Sequence, residues 1–600
     1  MAVQQEKVKP KKFFFLTTTT RSTEAEPDGR QDGTIQIPDP LKRACERRGP
    51  DSQRSVEYQT EFHSVLLHAS VLSLRGPIEV TTQPIISADG RLIFAWNGQI
   101  FRHLVKGTDD EQSPLLDPQQ NDGAALLATV ESALFNAVDP AEANQVVQEV
   151  FSKIEGPFAF VLLDTKNVRL YFGRDTLGRR SLLMRNIVEQ THDGNQSLLL
   201  CSLAEAATIA TGSSLVEVDC SSFWTVDLTA KSLEDPKALA RDNERLQLSD
   251  ASDANTVPES VPTTARLTAA HTFRRVLEDS VRRRVTGIRP YTESTSAHVA
   301  VLFSGGLDCA TVALLAHHCM DPAQPIDLLN VALENPRSIQ AATRAAGGSK
   351  QVDPYNVPDR QTGIATYDEL RAMAPNRKWN FVQVNVPYAE YCEAKEEIRS
   401  TMYPSNSVMD LSIAAALYFA ARGSGKLLSN DKTYETSARI LLSGLGADEL
   451  LGGYSRHRVA FQKGGKSSLV QELQLDLDRL PTRNLGRDDR ILSTHAKETR
   501  YPFLDRKVLE HLCSLRVEDK MNFEIESSGQ QDPTVNPPLE GLSRCYPGDK
   551  LLLRIVAGEL LGLTGAAQLK KRAIQFGSRS AKMEIEPRGG RIKGHEELGA

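Results

Sequence analysis

Two glycine-rich turns, each directly after a short apolar strand, constrain the fold of this chain more than any other feature. The first turn is Ser304-Gly-Gly-Leu-Asp308, which follows residues 298–303, and the second spans residues 443–454 and follows residues 440–442. Apolar strands that alternate with helical patterns predict a parallel sheet wrapped by helices. Because parallel strands end at one edge of such a sheet, both turns are expected to build one ligand site.

The first turn has the residues that a phosphate-binding loop needs. Gly305 and Gly306 let successive backbone N–H groups approach an anion, and Ser304 adds a hydroxyl donor. Asp308, at the start of the next helix, can orient Mg²⁺. The motif G-x-x-x-x-G-K-S/T is absent, which favours cleavage of ATP to AMP and pyrophosphate over γ-phosphoryl transfer. The alternative interpretation is a turn that only connects a strand to a helix.

The second turn carries the acidic pair Asp448 and Glu449, which could hold magnesium pyrophosphate or a substrate amine. The alternative is a solvated helix start, where the helix dipole favours acidic residues. Among the basic residues further along the chain, Lys550 is the preferred candidate for neutralising a polyphosphate during the reaction. Surface salt bridges are the competing explanation for each nearby arginine.

The chain is long enough, at 600 residues, for two domains. Short β-rich runs between turn residues predict an α+β domain of stacked sheets in the first half. The boundaries predicted from composition and periodicity are a disordered tail over residues 1–40, the α+β domain over 41–230, a polar linker over 231–268, the α/β domain over 269–580 and a flexible tail over 581–600.

Composition excludes several classes of function. A net charge of −6 offers no field that would recruit nucleic acid or an anionic membrane, and no apolar run is long enough to span a bilayer. The eight cysteines contain no C-x-x-C pair and are interpreted as reduced thiols. We therefore expect an intracellular, cytoplasmic protein whose partners are small molecules. The oligomeric state stays open.

Three motifs resemble those of the asparagine synthetases, in the same order along the chain. They are S-G-G-L-D-C from Ser304, S-G-L-G-A-D-E-L-L-G-G-Y from Ser443 and E-T-R-Y-P-F-L-D from Glu498. A narrower resemblance, to one branch of that family, covers about residues 45–580. It rests on residues 357–363, 379–381, 453–458, 483–490 and 571–579.

This resemblance implies a class II glutamine amidotransferase-like domain followed by an α/β domain similar to N-type ATP pyrophosphatases. It implies ATP-dependent amidation of aspartate to asparagine through an acyl-adenylate, with ammonia, or glutamine as its source, and with ATP and Mg²⁺ as cofactors. The residues that it implies are Leu302, Val331, Ser443 and Gly444 for adenosine, Ser304, Gly305, Gly306 and Asp308 for pyrophosphate, Asp448 and Lys550 for adenylation, Asp308 and Asp448 for the metal, and Asn97, Gly98 and Asp122 for glutamine.

The sequence departs from the family pattern at four places. The chain begins Met1-Ala2-Val3 where the family has a Cys nucleophile, and Val71 stands near the arginine that grips glutamine. Glutamine hydrolysis is therefore not expected. Leu445 replaces a glutamate that acts as a base, and Cys309 replaces a serine. Two alternatives stay open: a pseudoenzyme or scaffold that binds ATP without making an amide, and an enzyme that activates another carboxylate or a tRNA base.

Overall fold

The structure, a computed structural model, describes most of the chain. The described residues are 13–20, 37–77, 79–103, 120–185, 196–204, 214–241, 246–249, 263–289, 296–345, 352–524, 542, 544–583 and 596. No helix within these ranges has both the length and the apolar character needed to cross a membrane.

Within the described residues, the N-terminal domain contains two six-stranded sheets and three helices. The sheet orders are β12-β10-β11-β1-β3-β2 and β14-β13-β9-β8-β5-β4, and β6 pairs with β7. The strands are β1 Phe13–Thr20, β2 Ser52–Gln59, β3 His63–Val71, β4 Ile85–Ile86, β5 Leu92–Gly98, β6 Arg102–His103, β7 Ile154–Glu155, β8 Phe158–Asp164, β9 Arg169–Arg174, β10 Leu183–Arg185, β11 Ser197–Cys201, β12 Leu215–Glu217, β13 Phe223–Asp227 and β14 Lys237–Leu239, and the helices are α1 Asp39–Arg48, α2 Asp122–Leu134 and α3 Pro140–Ser152.

Alternate residues of the central strands enter two different apolar clusters. In β8, Ala159, Val161 and Leu163 join a cluster that also takes side chains from β3 and β11 of the other sheet. Phe158 and Phe160 of the same strand join a second cluster with helices α2 and α3. Because side chains alternate across a strand, a fully buried strand of this kind needs a cover on each face. One cluster is shared by both sheets, and the helices cover the far side.

The C-terminal domain is built on one seven-stranded sheet, in the order β19-β18-β17-β16-β15-β20-β21. The five strands β17, β16, β15, β20 and β21 are parallel, and β18 and β19 add an antiparallel edge. The strands are β15 Val299–Leu302, β16 Ile326–Leu333, β17 Trp379–Val386, β18 Ser424–Leu427, β19 Thr433–Glu435, β20 Ile440–Leu442 and β21 Glu498–Arg500.

Helices cover both faces of this sheet. They are α4 Thr263–Val285, α5 Leu307–Cys319, α6 Pro336–Ala345, α7 Pro358–Met373, α8 Tyr388–Met402, α9 Val408–Arg422, α10 Ala447–Leu451, α11 Ser455–Leu480, α12 Gly486–Ser493, α13 Arg506–Ser514, α14 Val517–Lys520, α15 Leu551–Ile555 and α16 Ile574–Gly577. Helix α11 is kinked at Gly464 and Gly465. Shorter helical turns are Pro481–Leu485, Pro502–Leu504, Val556–Leu560 and Ala566–Gln568.

The buried strands of this sheet also divide their side chains between two clusters. Trp379 and Phe381 of β17 pack with α4 and α5, whereas Val382 and Val384 pack with α8 and α9. Burying an aliphatic side chain of this size stabilises the fold by about 1.5–3 kcal/mol. The sheet is therefore held rigid, and its carboxyl edge is a fixed platform for the loops that follow β15, β16 and β20.

The structure confirms the predicted parallel strands and differs from the predicted boundaries. Apolar runs predict strands over residues 158–164, 326–333, 379–386 and 440–442, and β8, β16, β17 and β20 have these bounds. Within the predicted tail over 1–40, residues Phe13–Thr20 form β1, which pairs with β3 and β11. The threonine run suggests low complexity, but threonine is β-branched and suits a strand. Residues 1–12 and 21–36 lie outside the described part.

The predicted linker and C-terminal tail are also partly structured. Within residues 231–268, Lys237–Leu239 pairs with β13, and helix α4 begins at Thr263. Leu248 is buried, and its N–H donates to Gln474 at 3.0 Å. Met583 of the predicted tail over 581–600 is buried; of the residues after it, the structure describes only 596. Strand pairing between distant segments produces no hydrophobic periodicity in the sequence, so periodicity does not predict these ordered residues.

Buried ion pairs join the two domains. Asp489 of α12 accepts from Arg180 at 3.1 Å and lies 3.8 Å from Arg48, both of the N-terminal domain. Arg490 donates to Glu217 at 2.5 Å. These side chains are almost fully buried. Since a buried charge is stable only when it is paired, the interface is specified by polar geometry.

Candidate nucleotide site

The first glycine turn is held against helix α7. Gly305 has φ +81°, and a side chain there would come within 2.5 Å of the backbone of Gly363. Thr366 of the same helix donates to the carbonyl of Gly305 at 2.7 Å. Only glycine combines this left-handed backbone with so close an approach. The turn is therefore fixed in place before any ligand is considered.

The turn leads into α5, a helix of 13 residues whose N-terminus is a favourable place for an anion. The hydroxyl of Ser304 accepts from the N–H of Gly306 at 3.4 Å. Cys309 donates from its thiol to the carbonyl of Gly306 at 3.2 Å. Burial raises the pKa of Cys309 to about 11, so this thiol stays protonated at neutral pH. The thiol of Cys309 therefore stabilises the first glycine turn through this hydrogen bond.

The second glycine turn touches the first. A side chain at Gly444 would lie 2.8 Å from Cβ of Asp308, so the two turns are in contact through these residues. Gly446 has φ +102° and faces Leu504, and its N–H donates to Glu449 at 3.2 Å. The edge predicted from the parallel strands thus carries both turns, side by side, after β15 and β20.

A chain of alternating charges runs across the two turns. The ammonium of Lys550 donates to Asp308 at 2.6 and 2.8 Å and lies 2.6 Å from Asp448. Lys571 pairs with the other oxygen of Asp448. A side chain at Gly453 would overlap Asp448 and Lys550, so glycine leaves room for the pair. The order of the chain is Asp308, Lys550, Asp448, Lys571.

The charge chain fixes the protonation states of its two central side chains, Lys550 and Asp448. Burial works to raise the pKa of Asp448, but Lys550 and then Lys571 outweigh it, and the pKa lies well below its usual value. Burial works to lower the pKa of Lys550, but Asp308 and Asp448 outweigh it and raise the pKa. Burial raises the pKa of Asp308, which has one lysine partner. Asp448 is therefore ionised and Lys550 is charged at neutral pH.

A second network orients the start of helix α11. The hydroxyl of Tyr454 donates to Glu449 at 2.6 Å, and the N–H of Tyr454 donates to Nδ1 of His457 at 3.3 Å. Nε2 of His457 then lies 2.8 Å from Asp476, which also accepts from Arg456. With Nδ1 as an acceptor, Nε2 carries the proton. The network presents Arg456 and Tyr454 to the same cavity.

The cavity at this edge has a volume of about 720 Å³. Nine basic and seven acidic side chains line it, an excess that suits an anionic ligand. The predicted residues that line it are Leu302, Ser304, Gly306, Asp308, Val331, Ser443, Gly444, Asp448 and Lys550. Gly305 is not among the lining residues, because it faces α7. The roles of all ten residues stay predictions.

The donor set fits a magnesium ion that is bound together with phosphates. Among the described residues, no group of three or more His, Cys, Asp or Glu side chains is placed to hold a metal ion. Magnesium in nucleotide sites usually takes one or two carboxylates and completes its shell with phosphates and water. Asp308 and Asp448, brought together by Lys550, are two such carboxylates.

The three predicted glutamine-site residues converge in the N-terminal domain. Asn97 and Gly98 end β5, and a side chain at Gly98 would lie 2.6 Å from the carbonyl of Pro157. Asp122 begins α2 and accepts from the N–H of Ile100 at 2.9 Å. Val71 is buried at the end of β3. A buried valine offers no guanidinium to a ligand carboxylate.

Comparison with known proteins agrees with this geometry. Residues 72–205 match the glutamine amidotransferase domain family, and residues 461–527 match the asparagine synthase family. Asparagine synthetase domain-containing protein 1 of Bos taurus is 33% identical over 90% of this chain and 92% of its own length. The chain belongs to the asparagine synthetase domain-containing protein 1 family. Asparagine synthetase domain-containing protein YML096W of Saccharomyces cerevisiae is 32% identical, over 89% and 87% of the two chains. The glutamine-hydrolyzing asparagine synthetase of Mesocricetus auratus is 23% identical, over 78% and 72%.

Sequence reasoning missed several polar residues of this asparagine synthetase domain-containing protein 1 homologue. Arg456 and His457 lie within residues 453–458, one of the segments that carry the family resemblance, and that resemblance is the sequence signal that points to them. Asp476 lies near the C-terminal end of α11 and belongs to no recognisable motif. Lys571 is 123 residues from its partner Asp448, so only the fold reveals their pairing.

Proposed function

We propose that the protein catalyses ATP-dependent amidation of a carboxylate, with aspartate as acceptor, ammonia as nitrogen donor, and asparagine, AMP and pyrophosphate as products. Membership of the family supports the class of reaction. The observation that carries the proposal is the charge chain from Asp308 through Lys550 to Asp448, which joins two glycine turns in one cavity.

Different residues of the cavity are placed to bind the adenosine and the phosphates of ATP. Leu302 and Val331, at or near the ends of adjacent strands, offer apolar surface to the adenosine, with Ser443 and Gly444 beside them. Residues 304–306 and the N-terminus of α5 offer backbone N–H groups to the phosphates. This division agrees with cleavage between the α- and β-phosphates.

Lys550 has the position and the charge to stabilise the transition state. It is 3% exposed and stays charged because two carboxylates hold it. A fixed cation in a site with little water stabilises negative charge that develops on a leaving pyrophosphate. Mg²⁺, held by Asp308 and Asp448 together with the phosphates, would supply further neutralisation of that charge.

For the N-terminal domain we infer a stacked-sheet amidotransferase fold. The apolar cluster shared by its two sheets supports that inference. Asn97, Gly98 and Asp122 are proposed as a vestigial glutamine site. Asn97 is buried, and Nδ2 of Asn97 has no hydrogen-bond partner among the residues that the structure describes, as a group reserved for a ligand would have.

A second candidate is nucleotide binding without amide synthesis, and Leu445 favours it. Leu445 lines the cavity and packs partly against the main apolar cluster. A leucine cannot accept a proton from ammonia, and the loss of a general base typically costs about 10²–10⁴ in rate. ATP binding depends on other residues and would be retained.

Isotope exchange and product analysis separate the two candidates. The proposal expects aspartate-dependent exchange of labelled pyrophosphate into ATP, and labelled asparagine when ammonium is added. An Asp448→Asn variant should lose both activities, whereas Asp431→Asn, which alters an exposed carboxylate, should retain them. Exchange without asparagine would show that aspartate is activated but no amide is made. Folded protein with ATP affinity but neither activity would reject the proposal and support the second candidate.

A further inference from the structure

Arg360, in the first turn of helix α7, carries a buried positive charge behind the wall of the nucleotide cavity. It is 5% exposed. Nε donates to Oδ1 of Asn330 at 2.7 Å, and the two terminal nitrogens donate to the side-chain oxygens of Gln383 and Asn385 at 2.9 and 2.8 Å. No Asp or Glu among the described residues pairs with Arg360, so the partners of this guanidinium are neutral oxygens.

The surroundings of Arg360 do not compensate its charge. Burial lowers the pKa of Arg360 to about 10, and the field of Asp353 opposes this shift only in part. Asp353 is exposed, so water and salt screen its field. The first turn of a helix is also the positive end of the helix dipole, which disfavours a cation. A charge in such a place is costly to keep unless an anion binds nearby.

A second buried arginine shows how the fold compensates such a charge elsewhere. Arg377 is 4% exposed, and it donates to the carbonyls of His317 and Met320 at the C-terminal end of helix α5. This is the negative end of a helix dipole, where a cation is favourable. Arg377 therefore has a structural reason for its position that Arg360 lacks.

Hydrogen bonds connect Arg360 to the first glycine turn. Asn330, which accepts from Arg360, donates from Nδ2 to the carbonyl of Phe303, the residue that precedes the turn, at 2.9 Å. Asn330 lines the cavity, and so do Asp359 and Thr362, which lie on either side of Arg360 along α7. One amide group therefore separates the guanidinium from the backbone that leads into the phosphate-binding turn.

We propose that Arg360 is a positioning residue and an internal counter-charge for the phosphates of the nucleotide, held behind the cavity wall by Asn330, Gln383 and Asn385. This inference rests on the proposed function in requiring that the cavity bind a nucleotide. The charge attracts the phosphates through the protein, and Asn330 transmits the position of the guanidinium to the first glycine turn. Contact with the ligand is not needed, because a charge in the protein interior is weakly screened.

Ligands of different charge test the inference by their affinity for the full chain. Two unit charges about 10 Å apart, at an effective dielectric constant of about 20, change an equilibrium roughly 10- to 20-fold. Arg360→Gln should therefore weaken magnesium ATP and AMP by about that factor, and adenosine less than about twofold. Arg360→Lys, which keeps the charge, should stay within about threefold of the unaltered protein. Arg377→Gln is the matched control, which should destabilise the fold and leave the three affinities unchanged.

A second variant, Asn385→Asp, tests the same charge without removing it. The new carboxylate would take the place of an amide that lies 2.8 Å from the guanidinium, and would give Arg360 the counter-charge that it lacks. The urea midpoint of the free protein should rise, whereas magnesium ATP and AMP should bind about 10-fold more weakly. A purely structural role predicts no loss of affinity when the network becomes stronger. This variant also carries the test if Arg360→Gln does not fold.

Three results would overturn the inference. Adenosine affinity that falls as far as magnesium ATP affinity in Arg360→Gln would show that Arg360 only shapes the wall. Unchanged affinity for magnesium ATP in folded Arg360→Gln or Asn385→Asp would show that the charge does not act on the ligand. An unaltered protein that binds none of the three ligands would remove the basis of the inference. Charge-dependent nucleotide binding without any asparagine synthesis would support the inference and reject the proposed function.

Discussion

The nucleotide cavity and the glutamine region, which comprises Asn97, Gly98 and Asp122 of the N-terminal domain, both retain motif residues of the family. The two differ in the contacts that their charged residues make. In the cavity, Asp308 and Asp448 belong to different turns and are bridged by Lys550. In the glutamine region, Asp122 accepts a hydrogen bond from the backbone N–H of Ile100, a contact that a packed domain would also require, whereas Nδ2 of Asn97 has no hydrogen-bond partner among the described residues.

From this difference we infer that a retained motif indicates a ligand site only when its charged groups contact one another. A carboxylate bound to a nearby N–H stabilises the fold whether or not a ligand exists. The charge chain, whose central Lys550 is 3% exposed, costs desolvation and has no comparable structural advantage. We therefore regard the cavity as a preserved site and the glutamine region as preserved architecture.

The largest expected effect concerns the interface that connects the two regions. Asp489→Ala removes the carboxylate that faces Arg48 and Arg180, and loss of one partner from a buried ion pair costs about 3–5 kcal/mol. Denaturant unfolding measures the change. The control Asp368→Ala, at an exposed pair with Arg371 within α7, should cost less than about 1 kcal/mol. Equal destabilisation by both variants would contradict the structural role.

Next in size is the loss of the carboxylate that two lysines share. Asp448→Asn leaves Lys550 and Lys571 without their common partner and removes a magnesium ligand of the proposed site. Aspartate-dependent pyrophosphate release should fall about 10²–10³-fold, as it does when a stabilising group is removed from an active site. Circular dichroism verifies the fold. A rate within a few fold of the unaltered protein would argue that the cavity is no better preserved than the glutamine region.

A smaller effect is expected from Asp359, whose pKa burial raises from 3.8 to about 7, against the opposing fields of Arg572 and Lys571. Between about pH 4 and 7 the folded protein keeps a proton that the unfolded chain has lost, so stability falls as pH rises. Asp359→Asn removes this slope. It should stabilise the protein at pH 8 by about 1–4 kcal/mol, because the net shift, which already includes the attraction of the two cations, is worth roughly 4 kcal/mol.

Urea unfolding of Asp359→Asn and the unaltered protein at pH 4.5, 6 and 8 measures this effect. The two stabilities should converge toward the acid end and separate as pH rises. Parallel curves would show that the Asp359 carboxyl titrates normally, and would remove it from the electrostatic description of the cavity.

The smallest effect is expected in the glutamine region. Asp122→Asn lies in the other domain, and none of the described residues that line the cavity precedes residue 302. Substitutions at distant sites act independently, so the ammonia-dependent rate should change less than about twofold. A fall of the ammonia-dependent rate by more than about tenfold would show that the two regions are energetically coupled. The glutamine region would then contribute to the reaction and could not be regarded as architecture alone.

The sequence predicts the strands and glycine turns that carry the site, because short local sequence patterns determine these elements. The apolar runs of β16 and β17 and the glycines of both turns leave signals in short windows. Pairings across the chain leave none. Lys571 meets Asp448, and Phe13–Thr20 enters a sheet, through contacts between distant segments. Such contacts depend on the tertiary arrangement, which propensity and periodicity do not encode.

The R-D-D-R run of α12 has a consequence for attempts to divide the protein. Arg487 and Asp488 line the cavity, while Asp489 and Arg490 bind the N-terminal domain. A truncated C-terminal half would therefore expose charges that the full chain buries, next to residues that line the cavity. Cutting the chain within residues 231–268 therefore does not give two independent folding units: the C-terminal half should be recombinantly soluble and ordered only when the N-terminal half is co-expressed.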